Sequence, residues 1–158
     1  MPLIERAAAA DANDLIEYLK QIGGESDNLS FGKEGVGFMP EQEAEYLSSI
    51  ENSSDSCIFL AKENGNIIGC GSLSRSSGRM KHRGDISVSV LRAFWGLGVA
   101  TLLTRRLIDF AKENGFGIID LQVRSDNSAA IHIYEKLGFK KNRHSPGLFQ
   151  NRWQGSTV

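Results

Sequence analysis

The sequence predicts an α+β fold with a mixed, mostly antiparallel central sheet, one parallel strand pair and flanking helices. Three observations carry this. Two apolar strands, Cys57–Ala61 and Ile67–Leu73, flank the turn Glu63-Asn64-Gly65-Asn66, the pattern of a hairpin. An alternating segment at 84–91, an amphipathic one at 98–114 and a second alternating one at 118–123 form a β-α-β unit with parallel strands. No repeat, low-complexity tract or linker interrupts the 158 residues, so residues 1–158 are expected to form one domain.

The elements follow in order. Leu3–Arg6 reads as a short first strand. Asp11–Gln21 reads as a helix, with Leu15, Ile16 and Leu19 on one side. Gly23–Phe38 holds five glycines and reads as a long loop. Pro40 opens a second helix that runs to Ile50. After the hairpin, Gly84–Leu91 is a strand. The helix 98–114 turns Ala100, Leu103, Leu107 and Phe110/Ala111 inward and Arg105, Arg106, Asp109, Lys112 and Glu113 outward; Gly115 caps it. Ile118–Val123 alternates as a strand. Ser125-Asp126-Asn127 can cap a helix through Leu137, ended by Gly138. Leu148–Trp153 reads as a last strand, and the basic run Lys140, Lys141, Arg143 and His144 before it reads as a solvated turn.

Composition narrows the function. The chain is 41% hydrophobic and 23% charged, as in globular proteins that live in water. No apolar stretch approaches a membrane span, and the alanines at 7–10 are too few for a signal segment, which implies a cytoplasmic location and no membrane partner. Cys57 and Cys70 lie outside any Cys/His cluster, so neither a metal site nor a disulfide framework is indicated; both read as buried free thiols. The net charge of −1 divides into −7 over residues 1–79 and +6 over residues 80–158. An anionic ligand in the second half and a cationic partner near the first would suit that division, as would an ordinary solvated surface. The basic residues lack interleaved aromatics, which argues against nucleic acid. The sequence leaves a homodimer open.

The strand at 84–91 runs into Trp95-Gly96-Leu97-Gly98, and a helix follows. A glycine turn between strand and helix aims unpaired backbone N–H groups at one point near a positive dipole end, a seat for phosphate or pyrophosphate. No Gly-Lys-Ser/Thr follows, so a Walker loop is excluded. A dinucleotide fingerprint fits only in half: Asp120 lies at the expected distance, but Thr101 stands in place of the third glycine.

A second segment decides between these readings. Asn127-Ser-Ala-Ala130-Ile-His-Ile-Tyr134-Glu135-Lys-Leu-Gly138-Phe139 follows the strand after the first motif helix. With the glycine turn it resembles the GCN5-related N-acetyltransferase (GNAT) superfamily. The family's Gln/Arg-x-x-Gly-x-Gly/Ala motif reads here Trp95-Gly96-Leu97-Gly98-Val99-Ala100, with Trp95 in place of Gln or Arg. Its Asn-x-x-Ala-x-x-x-Tyr-Glu-x-x-Gly-Phe motif matches in full. The resemblance is specific from about Gly84 to Phe139.

The resemblance implies a GNAT fold whose parallel strands splay apart to take acetyl-CoA as co-substrate. Val88, Ser89 and Val90 would offer main-chain groups to the pantetheine arm. Gly96, Leu97, Gly98, Val99, Ala100 and Thr101 would bind the pyrophosphate, with Asn127 and Tyr134 also in the cofactor site. An N–H of the 84–91 strand would stabilise the oxyanion. The family's general acid is a tyrosine at the position of Tyr134, which also reads as a packing contact. Asp85 stands where many relatives carry the Glu of a Gly-Glu-x-x-Ile-x-Val pattern; it reads as a base acting through water or as a solvated strand-start carboxylate. His132 has no role in the family, and His82 and His144 show no metal-like spacing. Glu25, Asp27 and Glu34 of the glycine-rich loop would form the acceptor wall. The expected activity is transfer of acetyl to a primary amine of a small molecule or peptide, by direct attack in a ternary complex; a non-catalytic CoA-sensing module of the same fold is the alternative.

Overall fold

The computed structural model describes residues 2–25, 39–76, 82–145 and 148–155. Its strands are β1 (Leu3–Arg6), β2 (Ser56–Glu63), β3 (Asn66–Arg75), β4 (Arg83–Val90), β5 (Ile118–Arg124), β6 (Lys140–Ser145) and β7 (Leu148–Gln154). Its α-helices are α1 (Ala12–Glu25), α2 (Pro40–Ile50), α3 (Val99–Glu113) and α4 (Ser128–Lys136). The seven strands form one sheet in the order β1-β2-β3-β4-β5-β7-β6. Every pairing is antiparallel except β4 with β5. The predicted fold class is therefore the observed one.

Side-chain alternation assigns the two sheet faces. Phe59, Leu73, Ile86, Val90, Ile119, Leu121 and Val123 lie in one apolar cluster with Leu103, Leu107 and Phe110 of α3 and Tyr134 of α4. Leu60, Ile67 and Leu91 lie in a second cluster with Leu15, Tyr18 and Ile22 of α1 and Leu47 and Ile50 of α2. The sheet is thus covered by α3 and α4 on one face, and by α1 and α2 on the other face of its first half. At Gly84 an added Cβ would come within 2.7 Å of the Phe116 ring, so that strand position needs glycine for close approach. Both thiols are pushed up to about 12 by burial, with Glu43 adding to the effect on Cys70. They sit as free cysteines in β2 and β3. No helix among the described residues is long and apolar enough to cross a membrane.

Two sequence expectations need correction. α1 runs four residues past Gln21, through Gly23 and Gly24. Ile22, 2% exposed, packs in the second cluster, and that burial outweighs the low helix propensity of glycine. The basic run from Lys140 is strand β6, not a turn. Among the described residues it forms the sheet edge and pairs with β7 alone, where backbone pairing holds a strand without apolar alternation. Of the expected acceptor wall, Asp27 and Glu34 lie outside the described residues, and Glu25 is the last residue of α1.

Candidate active site

The site begins where β4 and β5 part. Their parallel pairing consists of Arg83↔Ile118, Gly84↔Ile119 and Asp85↔Asp120, and then stops. Beyond it β4 continues to Val90 and β5 to Arg124 with no shared register. The resulting cleft of 1040 Å³ is lined by Asp85–Val90 on one wall and Asp120–Val123 on the other.

Backbone alternation shows which β4 groups face that cleft. Arg83 accepts from Ser76 N–H, and Leu91 donates to Ile68, both on the β3 side. Odd-numbered residues of β4 therefore turn their main chain to β3, and Ile86, Val88 and Val90 turn theirs to the gap. This narrows the expected pantetheine contacts. Val88 faces the gap, whereas the Ser89 main chain faces β3 and its hydroxyl lies 2.8 Å from the Tyr18 hydroxyl. The Val90 carbonyl is already taken by the indole Nε1 of Trp95, at 2.8 Å.

The glycine turn is open and left-handed. Gly96 and Gly98 have φ of 79° and 85°, and an added Cβ at either would meet no atom within 4 Å. Backbone conformation, not crowding within the fold, explains these glycines. Gly98 caps α3, and the first bond of the ladder runs from Leu102 N–H to the Gly98 carbonyl at 3.1 Å. The amides of Val99, Ala100 and Thr101 precede that ladder at the positive end of the helix dipole. Those residues line the cleft together with Gly96 and Gly98. Leu97 is 67% exposed, and its side chain points away from this lining. An open seat of backbone amides beside a strand with free main-chain groups fits a long phosphate-bearing ligand such as a coenzyme A thioester.

Two titratable side chains converge from opposite sheet faces. Tyr134, on α4, is 8% exposed, stacks edge-on against Phe139 at 5.8 Å and lines the cleft. Burial pushes its hydroxyl up to about 12, so it keeps its proton at neutral pH. Asp85 projects from the other face. Its carboxyl is raised, first by burial and then by the neighbouring Asp120 charge, against a smaller opposing effect of Arg83. Asn127 lines the cleft and caps α4, its Oδ1 accepting from Ala130 N–H at 3.2 Å. His132 lies exposed on α4.

Sequence reasoning missed the support around Asp85. Asp120, 3% exposed, accepts from Arg83 at 2.8 Å and from Arg152 Nε at 2.8 Å. Burial raises its carboxyl, but the hydrogen bonds from Arg152 and Arg83 outweigh that and hold it below the usual range. A carboxylate in an otherwise apolar alternating strand was the available signal; its arginine partners, 37 and 32 residues away, were not legible. Among the described residues no group of His, Cys, Asp and Glu could hold a metal ion.

With this geometry in view, residues 26–139 match the model of the acetyltransferase (GNAT) family. The chain belongs to that family. An acetyltransferase of the GNAT family from Streptococcus pneumoniae superposes with a TM-score of 0.92 at 25% identity, covering 98% of this chain and 99% of that one. The N-alpha-acetyltransferase RimI of Mycobacterium tuberculosis is 32% identical over 82 residues, 51% of this chain and 50% of its own. The L-amino acid N-acyltransferase MnaT of Escherichia coli is 31% identical over 100 residues, 61% of this chain and 58% of its own. The chain thus spans about half the length of the first of these relatives and 58% of the second. Acetyl-CoA is the co-substrate of the GNAT family.

Proposed function

We propose that this protein transfers the acetyl group of acetyl-CoA to a primary amine of a small molecule or peptide, in a ternary complex of both substrates. One observation carries the reading: β4–β5 pairing ends at Asp85↔Asp120, and the cleft that opens there is flanked by the Gly96–Gly98 turn, Tyr134 and Asp85. Two differently named relatives, an N-alpha-acetyltransferase and an L-amino acid N-acyltransferase, bracket the acceptor class.

The mechanism follows from the groups in place. The pantetheine arm pairs with the gap-facing main chain of Ile86 and Val88, and the pyrophosphate rests on the amides from Gly96 to Thr101. A gap-facing β4 N–H sits where oxyanion charge develops on the thioester. A free lysine-type amine has a pKa of about 10.4, so a proton must leave before attack. Asp85, its carboxyl raised, takes that proton through water. Nitrogen then bonds to the carbonyl carbon and gives up its second proton to solvent, the carbon–sulfur bond breaks, and the thiolate takes its proton from the Tyr134 hydroxyl. The solvent returns both groups to their starting states.

Calorimetric titration with acetyl-CoA, followed by transfer assays on an amine and peptide panel, tests the reading. Single-site binding and acetylated product are expected. No binding at millimolar acetyl-CoA would exclude it, and binding without transfer to any amine would leave the CoA-sensing module.

A further inference from the structure

We infer that the acceptor is a polar amine carrying hydroxyl or amide groups close to its reactive nitrogen, an amino sugar or amino alcohol in chemical class; this rests on the acetyltransferase reading above. The observation is a polar floor on the sheet face opposite α3 and α4. Strand register aligns Ser74, Asp85, Asp120 and Arg152 in one row across β3, β4, β5 and β7. A second row places Ser72 beside Ser87 on one bank of the split and Gln122 beside Gln150 on the other. Asp85, Ser87, Ser89, Asp120, Gln122 and Gln150 all line the cleft, with Ile22 of α1 as an apolar neighbour. Alternating residues of the same strands, such as Ile86 and Leu121, turn to the apolar core, so the polarity belongs to this face.

The floor also divides its charges. Asp120 is held by Arg83 and Arg152, and no hydrogen bond or ion pair among the described residues engages the Asp85 carboxylate. Asp85 is thus the group that meets an ammonium, and the surrounding serines and glutamines meet whatever flanks it. A hydrocarbon amine would strip water from these side chains and return no hydrogen bonds. Sites built from polar groups reject analogues that lack the matching ones. The amine attacks the thioester as described above, so no further reactant is needed.

The test compares matched acceptors, ethanolamine with propylamine and glucosamine with cyclohexylamine. Rates are expressed per neutral amine, because a hydroxyl lowers the amine's own pKa. In the wild type kcat/KM should favour the hydroxylated member of each pair by about tenfold or more. Ser87→Val and Gln122→Leu should bring that ratio towards one, with acetyl-CoA affinity unchanged by calorimetry. Equal or reversed preference in the wild type, or a ratio untouched by both variants, overturns the inference while the acetyltransferase reading stands. Acetyl-CoA binding with no transfer to either class overturns it as well. Failure to bind acetyl-CoA falls on the earlier reading and removes this one with it.

Discussion

The indole Nε1 of Trp95 donates a 2.8 Å hydrogen bond to the carbonyl of Val90, the last residue of β4. The same ring carries the Arg92 guanidinium 5.5 Å from its centroid and is 55% exposed. The residue that replaces the family's Gln or Arg thus ties the end of β4 to the glycine turn before α3, the two segments we propose for the pantetheine arm and the pyrophosphate.

Trp95→Phe removes the donor and keeps a ring. The acetyl-CoA Kd should rise severalfold with kcat changed less, since a hydrogen bond is typically worth about 1 kcal/mol. Trp153 is buried, so the emission change on adding acetyl-CoA should come from Trp95 and vanish in the variant. An unchanged Kd and an unchanged emission response would separate Trp95 from cofactor binding.

Gly98→Glu should abolish acetyl-CoA binding, because its carboxylate would enter the anion seat. Gly98→Ala separates charge from strain. At φ 85° a Cβ costs about 1–2 kcal/mol in either variant, so both should melt lower than the wild type. Calorimetry should then show measurable affinity in the alanine protein and none in the glutamate protein. Equal affinity in the two would place the pyrophosphate elsewhere.

Tyr134→Phe preserves the edge-on contact with Phe139 and deletes the hydroxyl. We expect kcat to fall by roughly 10²-fold with acetyl-CoA affinity little changed. Full turnover in the variant would reduce Tyr134 to a packing residue.

Asp85→Asn removes the proton acceptor at nearly constant shape. In the wild type kcat/KM, counted per total amine, should rise with pH through the Asp85 pKa, which burial and Asp120 hold above the ordinary carboxylate value. The variant should lose that ascending limb and roughly 10²-fold in rate. Superimposable profiles from about pH 5 to 9.5 would remove Asp85 from the proton path.

Glu43, 4% exposed on α2, has its carboxyl raised by burial. A carboxyl whose folded pKa exceeds the unfolded one binds its proton more tightly in the fold, so stability declines as pH rises above about 4.5. Glu43→Gln should therefore raise Tm at neutral pH, by about 2–4 °C for each 1 kcal/mol recovered, and the gain should vanish below the unfolded pKa. A Tm difference that is the same at pH 4 and pH 7 would contradict this.

The sequence by itself determined the elements whose causes are local. Pro40 opens α2, and φ values of 52° and 80° at Asn64 and Gly65 make the predicted hairpin turn. Gly98 and Asn127 cap their helices where the sequence places them, because a left-handed glycine and an Asn side chain act within a few residues. The motifs at 95–100 and 127–139 likewise carried the family. Only the tertiary structure decided what depends on distant partners. It set β7 between β5 and β6, ended β4–β5 pairing at Asp85↔Asp120, and brought Arg83 and Arg152 to Asp120. It also carried α1 past two glycines by burying Ile22. The physical reason is that caps and turns are settled by bonds within a few residues. Strand order, register and buried ion pairs are settled by which distant surfaces can be satisfied together, and a linear pattern does not state that.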